Sequence, residues 1–383
     1  MTSRERLLTA ISLQEADRVP ICFRNVAPLE HLWRNAFERV TALATLGVDD
    51  KLQVALPWAF HPDVRVRLWR EQDERGEILC KGIETPAGPL RFKSRLTDDW
   101  APADLPLVSD HHWSRGTEFM IGSEQDLDRL AYLLQPVTGD RLADFRARKD
   151  SVRRFAEGKV LVEGVIEAAS NVAFSLLGPD RFLTGATLEP TMVGRLLQML
   201  ETWIEERLEV LLDSDVDTVY HTACYETTAL WSPRQFRELF ADGLRRKAAL
   251  CHQAETRLHL YMDTGFVPLL DDFLEIGIDI LSTVDPVMGG MGETTLADVK
   301  ARVGHHICLW GGVNSPHTIE RGTKAEVRRA VREAIEAMAP GGGFVLSTAD
   351  SVWDPKPEAN VQEFIAAGLE YGRYPLAVGG SAA

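Results

Sequence analysis

Five cysteines in 383 residues, an odd number with no C-x-x-C pair, exclude a disulfide framework and an all-cysteine zinc module. Basic residues are in deficit: 42 Lys+Arg against 57 Asp+Glu give a net charge of −15. That argues against nucleic acid or an anionic membrane as the main partner, since both select basic surfaces. A small anionic ligand stays open, because a pocket can be locally positive in an acidic protein. No uncharged apolar run approaches the ~18 residues that span a bilayer. The stretch from Met1 to Leu13 is amphipathic, with no long apolar region and no small-residue cleavage site. A soluble, cytoplasmic protein is expected. The signatures G-x-G-x-x-G and G-x-x-x-x-G-K-[ST] are missing. The run Met288-Gly289-Gly290-Met291-Gly292 has no phosphate-binding Lys and reads as a flexible βα loop.

What is present is an ordinary globular composition, 45% apolar and 26% charged. From about residue 159 short apolar runs alternate with helical patterns. The runs are Val160–Ile166, Val216–His221, Leu258–Asp263, Ile280–Val284, Ile307–Trp310 and Phe344–Ser347. Helices are expected near 191–213, 233–254, 267–276, 295–302, 324–339 and 358–371. Ser232-Pro233-Arg234-Gln235 and Thr323-Lys324-Ala325-Glu326 are capping boxes. Val327, Val331, Ala334, Ile335 and Met338 then recur at helical spacing. Continuous apolar strands alternating with helices predict a parallel sheet, and the number of units favours a (β/α)8 TIM barrel over a doubly wound sheet. Before residue 150, Val64–Leu68, Ile78–Ile83 and Pro89–Leu96 read as an antiparallel meander, inserted after a first barrel strand at Val19–Phe23. The expected organisation is one barrel domain over 1–383. Within it, 60–125 forms an inserted β meander and a lid segment covering one mouth.

In a parallel barrel the chemistry sits at the C-terminal ends of the strands. The polar residues that end the apolar runs are Glu163 and Glu167, Asp217 and His221, His259 and Asp263, Asp285, Asn314, and Ser347 with Asp350. The following loops add Cys224, Tyr225, Glu226 and Trp231. His259, Tyr261 and Asp263 alternate with Leu260 and Met262, so the three share one strand face. That places His259 and Asp263 as a metal-ligand or acid–base pair; the alternative is a His bonded within the barrel wall. Asp49-Asp50 reads as surface or cap charge.

Taken together these stretches resemble the uroporphyrinogen decarboxylase-like superfamily. The resemblance rests on Ser3-Arg4-Glu5-Arg6-Leu7-Leu8 through Asp17-Arg18-Val19-Pro20, Glu84-Thr85-Pro86-Ala87-Gly88, and Trp231-Ser232-Pro233. It continues through Leu258-His259 with Asp263-Thr264-Gly265, Gly311-Gly312-Val313-Asn314, Arg321-Gly322-Thr323, and Gly342–Ser347. It implies a (β/α)8 barrel and two chemistries. The decarboxylases hold their substrate with an Arg-Gln-Ala-Gly-Arg segment after the first strand. Here the stretch is Phe23-Arg24-Asn25-Val26-Ala27-Pro28, and only Arg24 corresponds. The other branch comprises cobamide-dependent methyltransferases and O-demethylases, many with zinc on His-x-Cys plus a distant Cys. His259 matches that His, whereas Tyr261 and Asp350 stand at the Cys positions.

The resemblance therefore implies a methyltransferase moving a methyl group between a small methylated substrate and a corrinoid, free or on a partner protein. His259, Asp350, Glu226, His221 and Asp263 are the expected catalytic residues. Tyr225, Trp231, Asn314, Tyr261 and Glu167 are expected to bind substrate. Zinc, if held, would draw on His259, Asp350 and Glu226. A second copy of the chain is a further candidate partner. A carboxy-lyase and a non-catalytic barrel binding module are the competing functions.

Overall fold

The computed structural model describes residues 1–290 and 292–376, so Met291 of the glycine-rich loop lies outside the described residues. Eleven strands form in chain order: β1 (Lys51–Ala55), β2 (Arg65–Asp73), β3 (Gly76–Thr85), β4 (Gly88–Arg95), β5 (Gly116–Glu118), β6 (Leu161–Glu167), β7 (Thr218–Thr222), β8 (Arg257–Tyr261), β9 (Ile280–Val284), β10 (Cys308–Val313) and β11 (Phe344–Thr348). All six apolar runs of the second half become strands, and their polar flanks shift the ends by a few residues. They assemble into two compact units. One takes Met1–Ala55, Ala147–Val165 and the chain from Leu212 onward; the other takes Leu56–Arg146 and Ile166–Leu211.

The first unit holds a seven-stranded sheet in the order β1-β6-β7-β8-β9-β10-β11, barrel-like and parallel in its registers. The first barrel strand expected at Val19–Phe23 is not a ladder. It touches β11 through a single parallel bridge, Ile21 to Leu346. Two physical reasons stand out. Pro20 has no N–H to give. The N–H of Ile21 donates to the Asp49 carboxylate (3.1 Å) instead of to a strand. On the same side the carbonyl of Ile21 accepts from Asp49 N (2.7 Å). The meander accordingly follows β1, a strand the sequence pattern did not reveal, rather than Val19–Phe23.

Asp49 and Asp50 are buried, not surface charges. Asp49 accepts from Arg6 (2.6 Å) and pairs with Arg18 (2.9 Å), while Asp50 pairs with Arg39 (2.9 Å). Arg6 belongs to the N-terminal helix Ser3–Ile11, started by a Thr2/Glu5 capping box. That helix sets Leu7 and Ile11 against Leu161, Ile280, Cys308 and Val345, one apolar layer drawn from four strands. The expected helix 233–254 is interrupted: a π-helical turn at Arg237–Ala241 separates Pro233–Phe236 from Asp242–Gln253. Between β9 and β10 the register slips at Trp310/Gly311. A side chain at Gly311 (φ +144°) would come within 2.7 Å of Val284 N, so only glycine lets the two strands close there.

The second unit holds the meander as an antiparallel sheet, β2-β3-β4-β5. Its loop is tied by Lys81, which donates to Leu105 O (2.5 Å), and by His112 against Pro106 O (2.6 Å). The expected insertion 60–125 falls inside this unit, which also takes in the helices Ala169–Leu177 and Pro179–Leu188. Among the described residues no helix is long and apolar enough to cross a membrane.

Replacing Asp49 with alanine leaves Arg6 and Arg18 without their shared anion. The expected cost is about 3–5 kcal/mol, read as a lower urea midpoint with an unchanged slope. A cost below about 1 kcal/mol would show that the arginines are satisfied elsewhere.

Candidate active site

Strand alternation decides which side chains meet. Above the apolar layer the inward positions of the sheet turn polar and aromatic. Lys51 and Gln53 of β1, Glu163 of β6, Tyr220 of β7, His259 and Tyr261 of β8 and Trp310 of β10 converge there. They line or underlie a cavity of about 220 Å³ within the first unit.

Glu163 is the centre of its floor and is fully buried. Lys51 Nζ donates to its Oε2 (2.7 Å), as does Gln53 Nε2 (2.8 Å). His259 Nδ1 (2.9 Å) and Thr218 Oγ1 (3.1 Å) reach its Oε1. Burial alone would raise the Glu163 pKa; the charges of Lys51 and His259 outweigh it and hold the carboxyl at about 2. Burial and then Lys51 push His259 down to about 4, with Glu163 pulling the other way. Near neutral pH Glu163 is therefore ionised and the imidazole of His259 neutral. An ionised carboxylate facing Nδ1 fixes the proton there, leaving Nε2 as an acceptor with no hydrogen-bond partner. The His259 ring stacks on Trp310 (centroids 4.9 Å apart) and meets the edge of Tyr220 (4.9 Å). Lys51 Nζ lies 4.7 Å from the Trp310 ring and 4.8 Å from that of Tyr220, so both aromatics also shield its charge.

Higher on the same strand face, Tyr261 joins a second cluster. Its hydroxyl donates to Asp350 Oδ1 (3.0 Å) and accepts from Arg24 Nη1. Arg24 also pairs with Asp350 (3.1 Å), and its guanidinium lies 3.9 Å over the Tyr261 ring. Burial drives the Tyr261 hydroxyl far above its ordinary value, so it stays a donor. Asp263 belongs to this cluster: burial raises its pKa to about 6, Asp350 adds to that, and Tyr261 and Arg24 oppose it. It is the carboxyl here that exchanges a proton near neutral pH.

The sequence-derived residues divide accordingly. His259 and Tyr261 line the cavity, and Asp350 and Asp263 sit with Tyr261. His221 does not join them. It lies between the inward Tyr220 and Thr222, so it faces the other side of β7, where it is buried 3.7 Å from Glu226. Trp231 packs on Phe240 and donates to Tyr225 O (2.7 Å), so these two form a loop contact rather than cavity wall. Asn314 bonds to Asp285 (2.8 Å) and caps the turn at Ser315–Ile319. Glu167 ends β6 in the second unit, where Arg207 feels its charge. Asp217 precedes β7 instead of ending it, and binds Arg4 (2.8 Å). Lys51, Gln53, Tyr220 and Trp310 are site residues that no motif marks, whereas Arg24 is the one residue that corresponds to the decarboxylase arginine segment. Period-two polarity in Lys51-Leu52-Gln53-Val54 was the signal available for the first two.

Zinc does not fit this donor set. His259 keeps Nε2 for a ligand, but Asp350 is engaged by Tyr261 and Arg24, and Glu226 lies with His221 on the far face, so the three expected ligands do not converge. Among the described residues no three His, Cys, Asp or Glu side chains are grouped to hold a metal.

The chain was compared with known proteins. Residues 115–371 match the family described as uroporphyrinogen decarboxylase (URO-D). No curated protein sequence matches. Among solved structures, a methyltransferase from Methanosarcina mazei aligns with 97% of this chain and 99% of its own, at 19% identity and a TM-score of 0.60. A 3-keto-D-glucoside 4-epimerase from E. coli aligns with 59% of this chain and 85% of its own, at 14% identity and a TM-score of 0.37. The first likeness shows a shared fold along nearly the whole chain. With two thirds of its residues matched and that fold in place, this chain belongs to the uroporphyrinogen decarboxylase family.

Proposed function

We propose that this protein is a methyltransferase acting on a small methylated substrate, a methyl ether or similar donor, rather than a decarboxylase of a polyanionic porphyrinogen. The observation that carries the reading is the charge balance of the cavity. Each of its cations has a carboxylate partner: Lys51 with Glu163, Arg39 with Asp50, Arg24 with Asp350. A substrate bearing many carboxylates needs unpaired cations to hold it, and here they are already spent on the protein's own acids. The volume agrees, being below the ~300–1,000 Å³ typical of pockets for drug-sized ligands and far too small for a four-pyrrole ring. The methyltransferase fold shared across the whole chain supports the same side. The decarboxylase reading keeps one point in its favour, the family itself. Release of carbon dioxide from uroporphyrinogen by the purified protein would establish it.

In this reading the donor lies against Tyr220, Tyr261 and Trp310, with its heteroatom near the Tyr261 hydroxyl. An unprotonated alkoxide or phenoxide is a poor leaving group, so the chain must deliver a proton or hydrogen bond as the methyl departs. On binding, the Tyr261 hydroxyl turns its single hydrogen from Asp350 to the substrate heteroatom, while Asp350 stays paired with Arg24. Asp263 is the proton reserve behind it. Glu163, Lys51 and neutral His259 keep the floor charged but closed to water. A corrinoid, free or on a partner chain, would supply the centre that takes the methyl group. It would not be a resident of this cavity, which cannot enclose its ring.

Incubation with reduced cobalamin and a panel of methyl ethers and methylamines, with and without added zinc, is expected to yield methylcobalamin from at least one ether. No product from any donor sinks the proposal. Tyr261→Phe is expected to lower turnover by roughly 10²–10⁴-fold, the range for general acid assistance, with an unchanged thermal midpoint. The pH profile supplies a third check. Because Asp263 holds its proton up to about 6 in the folded state, activity is expected to fall as pH rises through about 6. The stability Asp263 contributes is full below its ordinary 3.8 and is lost over the same rise. Asp263→Asn should flatten both curves; a profile unmoved by that change would remove Asp263 from the mechanism.

A further inference from the structure

The outer edge of β2 is bare. In the order β2-β3-β4-β5 this strand has a neighbour on one side only, and over its nine residues every side chain is exposed or half-exposed. Val66 is 45% and Leu68 42% exposed, large for apolar residues on a strand. The β2–β3 hairpin turns through Glu74-Arg75 and closes on the pair Asp73–Gly76. A two-residue turn closes on a hydrogen-bonded pair. Asp73, Glu71, Trp69, Arg67 and Arg65 therefore spend their backbone groups on β3. Those of Val66, Leu68, Arg70 and Gln72 point outward, unpaired by any other strand among the described residues.

The order of charges along that edge is polarised: Arg65 and Arg67 before Trp69, Glu71 and Asp73 after it. We propose that β2 pairs antiparallel with β2 of a second copy of this chain, about a two-fold axis at Trp69. In this register Arg65 faces Asp73 and Arg67 faces Glu71 on each side of the axis, in the non-hydrogen-bonded positions where side chains come closest. Val66 and Gln72, and Leu68 and Arg70, fall on the hydrogen-bonded positions, the ones whose backbone groups are free. A shift of the axis to Arg70 would set two like charges against each other, and a shift to Leu68 would set Arg67 against Trp69. The backbone permits any axis centred on a residue; the charges, and the overlap of all nine residues of β2, single out the one at Trp69.

Charged residues on an edge strand commonly serve to prevent pairing. The charges of this strand, however, are self-complementary under two-fold rotation. Its three arginines against two acids also make the edge near neutral in a chain of −15, so this is a place where two copies can approach. Glu71 and Asp73 already bond Lys93 (2.9 Å) and Arg95 (2.7 Å), yet their side chains are 40% and 43% exposed and keep lone pairs for a second partner.

Sedimentation velocity of the full chain at micromolar concentration tests this. Wild type is expected to run as a dimer. Arg65→Glu with Arg67→Glu, and separately Glu71→Arg with Asp73→Arg, are expected to run as monomers, with wild-type circular dichroism as the check on folding. An equimolar mixture of the two variants is expected to restore the dimer, because each strand then meets its complement. Leu68→Pro removes an outward N–H without touching a charge, and is also expected to give monomer. A monomeric wild type, or dimers that persist in all three variants, would overturn the proposal. Folded monomeric variants that fail to recombine would overturn the register.

Discussion

A carboxylate buried as deeply as Glu163 costs several kcal/mol in lost hydration unless other groups replace the water. Lys51, Gln53, His259 and Thr218 do so together, from four inward positions on β1, β7 and β8. The arrangement is mutual. Lys51 is tolerable inside the sheet because Glu163 neutralises it and two aromatic rings shield it. His259 keeps its orientation and tautomer because Glu163 accepts from Nδ1. The aromatic walls are placed by the same layer. Removing the carboxylate would leave a buried ammonium and an unanchored imidazole, so the rest of the floor follows from this one group.

The upper cluster is built on a different principle. Arg24 and Asp350 are partly exposed and come from loops far apart in sequence, joined through the Tyr261 hydroxyl. A floor with fixed charge and a rim with one adjustable proton give the cavity an inert end and a reactive end. Such a division suits a reaction in which the group that departs needs a proton and the rest of the substrate only needs to be held still. At the rim, the Tyr261 hydroxyl is what joins Asp350 to Arg24.

Much of the fold was legible because apolar strands such as Ile280–Val284 and striped helices such as Lys324–Met338 advertise themselves. β1 did not. Its inward residues are Lys51 and Gln53, so the side of the strand that faces the interior is the polar one, the reverse of the usual cue. The candidate site was half visible. Period-two reading put His259 and Tyr261 on one face, and they do line one cavity. Applied to β7, the same rule would have separated His221 from that face, since Tyr220 and Thr222 occupy the inward positions. Glu163 was noticed as the end of a run, but its partner Lys51 lies over a hundred positions away. Only the parallel pairing of β1 with β6 brings them together. Asp49 misled for a related reason: two adjacent acids look like surface until the arginines that bury them are seen.

The N-terminal helix has a consequence for how the chain is made. Its Leu7 and Ile11 rest on Cys308 and Val345, residues from the opposite end of the sequence. Part of the surface this helix rests on is therefore missing until Cys308 and Val345 have been synthesised. Contacts of such long range slow folding because the loop they close must be ordered before they reward it. An amphipathic helix waiting through that interval leaves part of its apolar face uncovered, and the last strands complete its cover.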